Sequence, residues 1–374
     1  MQDTFYRLLR IALSLEDSAG FECTTEEWKE LFQVATKQGV VGICFRGVQS
    51  MNTLAVYRLP DQGNWQMPKS LYIDWMSASA SVQAKNDKME KSVVSIQKEL
   101  CERGIDTAVL KGLSLHRYYG ALGCLRQCGD IDLWALPQSG ETYKARFMRI
   151  MSCFGVSGNF TRQHVQVPNY EGFCVEMHFT PSVMSSAKYD TRLQRWFDSR
   201  SDWDSVEFKS GPVKTLSAED NMVYVLQHCY NHFLYEGIGM RQVMDYYMIL
   251  CAANECAKDN ICQTLDFLGL LDFASGMMWV IKMVFHAPDS ILICKPSERI
   301  GKVILEEVEA GGNFGQYGKG LVPSNKKLSF FFARIIRNAR FIRYFPNEVL
   351  WLPWYMIKCF FWKRAMIQKL RVLQ

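Results

Sequence analysis

The chain has 374 residues, of which 48% are hydrophobic and 22% charged, and its formal net charge is +5. This is the composition of an ordinary globular protein, and the length suggests two or three domains with enough chain to bury real cores. No uncharged apolar run reaches the ~18 residues that a membrane-spanning helix needs, so a transmembrane segment is not expected.

The 13 cysteines are scattered along the chain and form no Cys-x-x-Cys pair; the closest spacing is between Cys124 and Cys128. This spacing argues against a zinc site. The N-terminal stretch MQDTFYRLLRIALSL has an early acid and no cleavage pattern, so it does not resemble a signal peptide. We therefore expect reduced thiols and a cytoplasmic protein.

Residues 1–85 are predicted to form an N-terminal helical region. The stretch TTEEWKELFQVATKQGVV offers Thr24 or Thr25 as an N-cap, followed by acids and then apolar residues at helical spacing. Proline and glycine between Asn52 and Pro68 predict a loop. A long helix is expected from about Trp75 to Arg103, where a glycine follows.

The sequence pattern changes in residues 86–216. TAVL at 107–110, DIDLWAL at 130–136 and GFCVEMHF at 172–179 have the apolar content or the alternation of β-strands, and helical stretches lie between them. A short polar–apolar run, HVQV, precedes the last of these strands. The alternation predicts an α+β core with a small mixed sheet.

Residues 217–374 are predicted to be helical again. Ser217 and the acids after it open the stretch SAEDNMVYVLQHCYNHFLYEG, and RQVMDYYMILCAANE follows as the next helix. The glycine-rich stretch 310–320 is a weak candidate for a phosphate-binding loop, because it lacks a preceding strand and a following helix N-terminus.

The last part of the chain is strongly basic. From Lys326 onward there are eleven Lys or Arg residues and one acid, Glu348, with aromatic residues among them. Four arginines recur at every third position: Arg334, Arg337, Arg340 and Arg343. A nucleic-acid or anionic-membrane surface is one interpretation of this pattern. The favoured interpretation is a helical layer docked by its aromatic residues, with a solvated basic face.

Asp130 and Asp132 lie two residues apart on a predicted strand, so both carboxylates point to the same side. Alone, such a pair is more typical of a solvated strand end than of a site. A divalent cation would remove the repulsion between them, and Mg²⁺ prefers one or two carboxylates with waters and substrate phosphates. Glu176, on the polar face of the strand GFCVEMHF, is the candidate third carboxylate.

Residues upstream of the aspartates favour phosphate chemistry. Lys111 and Gly112 directly follow a strand, where a tight turn and a cation can meet a polyphosphate. Arg126 precedes Asp130 by four residues and could contact a phosphate with two donors. The order of these features along the chain is typical of phosphoryl transfer.

The run LKGLSLHRYYGALGCLRQCGDIDLWAL, with the later Val175-Glu176-Met177-His178, resembles the uncharacterised nucleotidyltransferase family of the DNA polymerase β-like superfamily. EEWKELFQVATKQGVV and HCYNHFLYEGIGMRQVMDYYMIL add to the resemblance, which covers most of the chain. It implies a nucleotidyltransferase core with a small mixed sheet, flanked by N-terminal and C-terminal helical regions.

The resemblance also implies an activity and a set of site residues. The activity is Mg²⁺- or Mn²⁺-dependent transfer of a nucleoside monophosphate from an NTP to an unidentified acceptor. The residues implied at the site are metal ligands and catalytic acids (Asp130, Asp132 and Glu176), phosphate-binding residues (Lys111, Gly112, Ser114 and Arg126) and pocket residues (His178 and Arg241).

One departure from the superfamily pattern leaves an alternative open. Active members usually carry Gly-Ser at the turn, whereas this chain has Lys111-Gly112 followed by leucine, and its nearest hydroxyl is Ser114. The alternative is a catalytically decayed member that acts as a nucleotide-sensing or partner-binding module.

Two further pairs of polar residues lie on the predicted C-terminal helices. His228 and His232, four residues apart, could bind zinc, but a core or pocket-lining role is favoured because no third ligand is evident. Arg241 and Asp245, also four residues apart, are predicted to form a salt bridge.

Overall fold

The computed structural model describes residues 1–56, 67–154, 159–253, 258–312 and 327–372. Most of the predicted loop at 52–68 and of the glycine-rich stretch 310–320 lies outside these residues.

Within the described residues, six strands form one mixed sheet, which confirms the predicted mixed sheet and adds two strands that were not predicted, β5 and β6. The order across the sheet is β3-β4-β2-β1-β6-β5. The β1–β6 and β2–β4 pairs are parallel, and the other three pairs are antiparallel. The strands are β1 (Thr107–Leu110), β2 (Ile131–Ala135), β3 (His164–Tyr170), β4 (Phe173–His178), β5 (Trp203–Phe208) and β6 (Gly211–Leu216).

Helices precede the sheet, connect its strands and follow it, so the α+β class is confirmed. In chain order they are α1 (Gln2–Ala12), α2 (Thr25–Lys37), α3 (Val41–Val56), α4 (Lys69–Glu102), α5 (His116–Tyr119), α6 (Tyr143–Phe154), α7 (Ala187–Asp198), α8 (Ala218–Tyr235), α9 (Met240–Ala252), α10 (Lys258–Phe267), α11 (Leu271–Phe285), α12 (Glu298–Gly311), α13 (Lys327–Ala339), α14 (Pro346–Val349) and α15 (Leu352–Val372). Short 3₁₀ turns occupy Gly112–Leu115, Gly120–Leu125 and Asp289–Ile291. Among the described residues, no helix is both long and apolar enough to cross a lipid bilayer.

The two faces of the sheet pack into two hydrophobic cores. On one face, Leu133 and Val175 lie among side chains of α4, α6 and α15. On the other face, Leu110 and Trp134 join a larger core formed with the N-terminal and C-terminal helices. β1 and β2 are buried at every position, as expected for central strands covered on both faces.

The N-terminal helices begin and end close to the predicted positions. Thr24 caps α2 and forms a capping box with Glu27, which satisfies two backbone N–H groups of the first turn. Helix α4 begins at Lys69, six residues before the predicted start, and runs to Glu102. The predicted boundary between residues 85 and 86 therefore lies inside α4, and the division into regions 1–85, 86–216 and 217–374 stays a prediction.

The basic C-terminal part is docked by aromatic side chains, as favoured from the sequence. The Trp362 ring packs edge-on against Phe147 and Phe160. The predicted solvated basic face is wrong for Arg337, which is buried and donates to the backbone carbonyls of Phe233 and Leu234. Helix α13 ends at Ala339, so the regular spacing of the four arginines does not correspond to one continuous helix.

Glu348, the single acid after Lys326, should make the stability of the folded protein depend on pH. It is buried, and it accepts hydrogen bonds from the backbone N–H groups of Ser185 (2.7 Å) and Ser186 (3.3 Å). Burial raises the pKa of its carboxyl from the usual 4.5 to about 7, although these two hydrogen bonds act in the opposite direction. The folded state therefore holds a proton that the unfolded chain releases between these two pKa values.

We expect the free energy of unfolding to fall by on the order of 3 kcal/mol as the pH rises from 4.5 to 7. Glu348→Gln, which cannot ionise, should remove this part of the slope. The measurement is urea unfolding at several pH values for both proteins. Equal slopes for the two proteins would contradict the assignment.

Candidate functional site

The three predicted acids meet at one edge of the sheet. β2 and β4 run parallel with Asp132 opposite Glu176, and Asp130 stands one residue before β2. Carboxylate oxygens of the three residues all lie within 4.8 Å of one another. The prediction that Glu176 lies beside the two aspartates is confirmed. The chemical roles of the three residues stay predictions.

Asp132 is the most enclosed of the three acids, with 1% of its surface exposed. Its Oδ1 lies 2.9 Å from Nε2 of His178, and its Oδ2 lies 3.2 Å from Nζ of Lys111. Burial alone would raise the pKa of Asp132, but Lys111 and His178 outweigh it and hold this pKa below its usual value. Asp132 therefore stays an anion in spite of its burial.

The pKa of Glu176 is shifted in the direction opposite to that of Asp132. Burial and, after it, the negative charge of Asp132 raise the pKa of Glu176 above its usual value. With all three acids ionised, Lys111 compensates one of three negative charges, and two remain. Carboxylate oxygens at this spacing with excess negative charge fit Mg²⁺ or Mn²⁺, which are bound by oxygen ligands.

Lys111 reaches the acids from a strained turn. β1 and β2 are antiparallel with Leu110 opposite Asp132, so the next residue, Lys111, stands at the same edge. Lys111 has φ +34° and Gly112 has φ +53°. A non-glycine residue rarely adopts such a φ, and strain of this kind is frequent at functional sites. The two negatively charged aspartates raise the pKa of Lys111 in spite of its burial, so it is a cation at neutral pH.

Ser114 closes this turn. Its backbone N–H and its hydroxyl both donate to the carbonyl oxygen of Lys111, each at 3.0 Å, and the residue is fully buried. The phosphate contact predicted for Ser114 stays a prediction, and it would require the hydroxyl to leave Lys111.

Arg126 forms a buried bidentate ion pair with Asp245 of α9. Its Nε and Nη2 donate to the two carboxylate oxygens at 2.7 and 2.6 Å, and the Tyr119 hydroxyl donates to the same carboxylate at 2.7 Å. The fork of Arg126 thus contacts Asp245 in this structure, and its predicted phosphate contact stays a prediction. The bidentate partner of Asp245 is therefore Arg126, and the salt bridge predicted between Arg241 and Asp245 stays a prediction.

Arg241 lies nearby and is buried. Its Nη1 donates to the carbonyl oxygen of Gln127 at 2.6 Å. A small cavity of about 30 Å³ is lined by this arginine together with Lys111, Arg126 and Asp130. Arg241 therefore shares a small cavity with Asp130, and the pocket role implied for it stays a prediction.

A histidine that the sequence reasoning missed completes the cluster. β3 and β4 pair with His164 opposite His178, and Nδ1 of His164 lies 3.3 Å from Oε2 of Glu176. Burial and the proximity of His178 lower the pKa of His164 to about 3. The alternation in HVQV, followed by a hairpin into GFCVEMHF, could have placed His164 on the same face as Glu176.

Asp130 and Glu176, but not the enclosed Asp132, line a cavity of about 760 Å³ together with side chains of the C-terminal helices. The side chains of the opposite wall come from α8, α13 and α15 and are mostly aromatic or basic: His228, His232, Tyr235, Arg334, Tyr355, Phe360 and Lys363. The pocket-lining role favoured for His228 and His232 is confirmed. Their rings are 4.3 Å apart, and Nδ1 of His232 lies 2.9 Å from Glu236.

The model of a family described as uncharacterised nucleotidyltransferase matches residues 24–286. The chain is also similar to the crystal structure of an antigenic nucleotidyltransferase-like protein from Paracoccidioides brasiliensis, with 14% sequence identity and a TM-score of 0.35. This match covers 59% of the chain and 97% of the fungal chain. No curated protein matches the chain.

Proposed function

Because this chain belongs to the family of uncharacterised nucleotidyltransferases, we propose that it transfers a nucleoside monophosphate from an NTP to an acceptor. The observation that carries the proposal is the convergence of Asp130, Asp132 and Glu176, two of which, Asp130 and Glu176, line the cavity. Mg²⁺ or Mn²⁺ is the proposed cofactor, because the donors are carboxylate oxygens and their negative charge exceeds that of Lys111.

In the proposed reaction an oxygen of the acceptor forms a bond to the α-phosphorus, and the bond from that phosphorus to the β-phosphate oxygen breaks. Pyrophosphate leaves with the electron pair of that bond. Glu176 takes the proton of the attacking group, a role that its raised pKa favours. The cation, when bound, polarises the phosphoryl oxygens and stabilises the charge that develops on them.

Lys111 has the second electrostatic role. It lies beside Asp132 and lines the main cavity, so its ammonium group can stabilise the negative charge that moves to the leaving pyrophosphate. Asp132 and the turn hold the lysine in place before substrate binds, which limits the reorganisation needed during the reaction.

The cavity supports the proposal by its size. A volume of about 760 Å³ lies within the range of small-molecule sites, roughly 300–1,000 Å³, and offers room for a nucleotide beside part of an acceptor. Aromatic and basic side chains on the wall opposite the acids are suited to a planar base or an anionic group.

The test is pyrophosphate release from labelled NTPs by the purified protein, with Mg²⁺ or Mn²⁺ and a panel of hydroxyl acceptors. The double variant Asp130→Ala/Asp132→Ala should abolish the release. Release that survives this double change would remove the two acids from the mechanism. Nucleotide binding without turnover for any acceptor would favour the alternative of a nucleotide-sensing or partner-binding module.

A further inference from the structure

We propose that His164, Glu176 and His178 form a second metal site, which takes a transition-metal ion such as Zn²⁺ beside the all-carboxylate site. The three residues each place one ligand atom within 4.8 Å of the others. They share Glu176 with the aspartates but add two imidazole nitrogens. This assignment does not rest on the transferase activity, because the ion would bind in the absence of any nucleotide.

The distances between the ligand atoms fit a small ion. Oε2 of Glu176 lies 3.3 Å from Nδ1 of His164 and 3.7 Å from Nε2 of His178. Two ligands of a tetrahedral zinc ion lie roughly 3.4 Å apart when the bonds to the metal are about 2.1 Å long. Only small shifts of these side chains are therefore needed to bring one ion within bonding distance of all three.

His164 supplies an independent observation. Its Nδ1 is enclosed and makes no hydrogen bond within the described part of the chain, although Oε2 of Glu176 is its close neighbour. A buried ring nitrogen without a hydrogen bond is unusual in a folded protein. An ion between the two atoms would satisfy both of them.

His178 is positioned by its contact with the carboxylate of Asp132. Its Nε2 lies 2.9 Å from Oδ1 of Asp132, so on metal binding this carboxylate stands next to the ion and can serve as a further oxygen ligand. Lys111 still lies beside the other oxygen of Asp132. The three proposed ligands all line the main cavity, so an ion has a path from solvent.

The donor atoms decide the type of metal. Imidazole nitrogens suit Zn²⁺, Co²⁺ and related ions, whereas Mg²⁺ prefers oxygen ligands and retains water. The two overlapping ligand sets should therefore differ in selectivity: Mg²⁺ at the aspartates and a transition metal at the histidines.

The test uses Co²⁺ as a spectroscopic probe on the full chain after removal of metals by a chelator. We expect visible d–d absorption from one Co²⁺ bound with low coordination number, displaced by Zn²⁺ and unaffected by Mg²⁺. Removal of a metal ligand should weaken metal binding at least as much as removal of a residue that only hydrogen-bonds to a ligand. His164→Ala should therefore weaken Zn²⁺ binding at least ~100-fold in calorimetry.

The matched control is His232→Ala, which removes a histidine from the same cavity but outside the three ligands, and it should keep Co²⁺ binding. Asp130→Ala should keep the Co²⁺ spectrum while losing the hard-cation site. X-ray absorption of the zinc-loaded wild-type protein should count two imidazoles, and this measurement needs no variant to fold. An oxygen-only shell, or unchanged Zn²⁺ affinity in His164→Ala, would overturn the assignment.

A different observation concerns the outer face of α15, which carries an apolar stripe. Leu350 lies in the turn before the helix, and Trp354, Ile357 and Phe361 stand at helical spacing along one side of it. Their exposed fractions are 63%, 61%, 41% and 63%. The inner face of the same helix packs against Phe147 of α6 through Trp362.

The charged side chains beside the stripe are both basic. Lys358 and Arg364 lie on its two flanks and are exposed. The single acid after residue 326 is Glu348, and it is buried. From this complementarity we infer that the stripe binds the surface of an anionic lipid bilayer, with the aromatic rings at the headgroup level and the cations on the phosphates.

Vesicle flotation tests this assignment. The protein should float with phosphatidylglycerol-containing vesicles at low salt and not with pure phosphatidylcholine. Trp354→Ser/Phe361→Ser should lower the bound fraction at least about tenfold, because both rings leave the apolar face. Met283→Ser, at a 50% exposed apolar position on α11, is the control and should bind as the wild type does.

Three outcomes would overturn the membrane assignment. The first is equal binding to neutral and anionic vesicles, or none to either. The second is a wild-type dimer in light scattering that the double variant converts to a monomer, which would assign the stripe to a second copy. The third is binding to nucleic acid but not to vesicles.

Discussion

Asp132→Asn is expected to lower the rate of pyrophosphate release about 10²–10³-fold, the loss typical of removing one strong electrostatic group from an active site. Lys111 and His178 both contact the carboxylate of Asp132. An amide keeps the shape of the side chain but removes the charge that holds the ammonium group of Lys111. It also has one oxygen acceptor where the carboxylate has two. The measurement is single-turnover release with saturating NTP and acceptor.

The matched control for Asp132→Asn is Asp106→Asn. Asp106 is 58% exposed and pairs with Lys214 near the start of β1, away from the cavity. This change should leave the rate within about twofold, because exposed ion pairs contribute little. If both variants were slowed to the same extent, the effect would be one of folding, and Asp132 would lose its proposed role.

Asp245→Ala is expected to lower the free energy of unfolding by about 3–5 kcal/mol. The change leaves the guanidinium of Arg126 buried without its bidentate partner, and the Tyr119 hydroxyl loses its acceptor. Arg126 and Asp245 are exposed by 4% and 3%, so water cannot replace the lost contacts without opening the packing. Urea unfolding followed by circular dichroism measures this loss.

A second variant separates the ion pair from the packing around it. In Arg126→Met/Asp245→Leu both charges are replaced by apolar groups, and the double variant should be more stable than Asp245→Ala, since no unpaired charge remains. Asp204→Ala removes a 46% exposed carboxylate from its pair with the partly buried Arg117 and should cost no more than ~1 kcal/mol. A loss in Asp245→Ala no larger than this would contradict the expected cost of the unpaired guanidinium.

The sequence predicts the centre of the site well because that centre depends on local rules. Alternation along β2 and β4 defines which side chains share a face, and two neighbouring strands bring Asp132 and Glu176 together. A lysine directly after β1 must stand near the strand edge whatever the rest of the chain does. For the same reason the α+β class and the mixed sheet follow from short sequence patterns.

The remaining features depend on packing between distant segments. Arg126 and Asp245 are 119 residues apart, and no local rule pairs them. Arg337 is buried because α13 docks on α8, although its spacing suggested a solvated face. His164 is the exception, because its contact with Glu176 lies within one hairpin and the alternation of the two strands could have placed it on that face. Long-range contacts of this kind are set by tertiary structure, which overrides sequence pattern.

The wall of the main cavity has a consequence for comparing relatives. The carboxylates lie within the matched region 24–286, whereas Arg334, Tyr355 and Phe360 lie beyond it. Under the proposed function, the acids and part of the cavity wall that would contact the acceptor therefore belong to different stretches of the chain. We expect a chimera that exchanges residues after 326 between two family members to change the acceptor preference and to keep the chemical step.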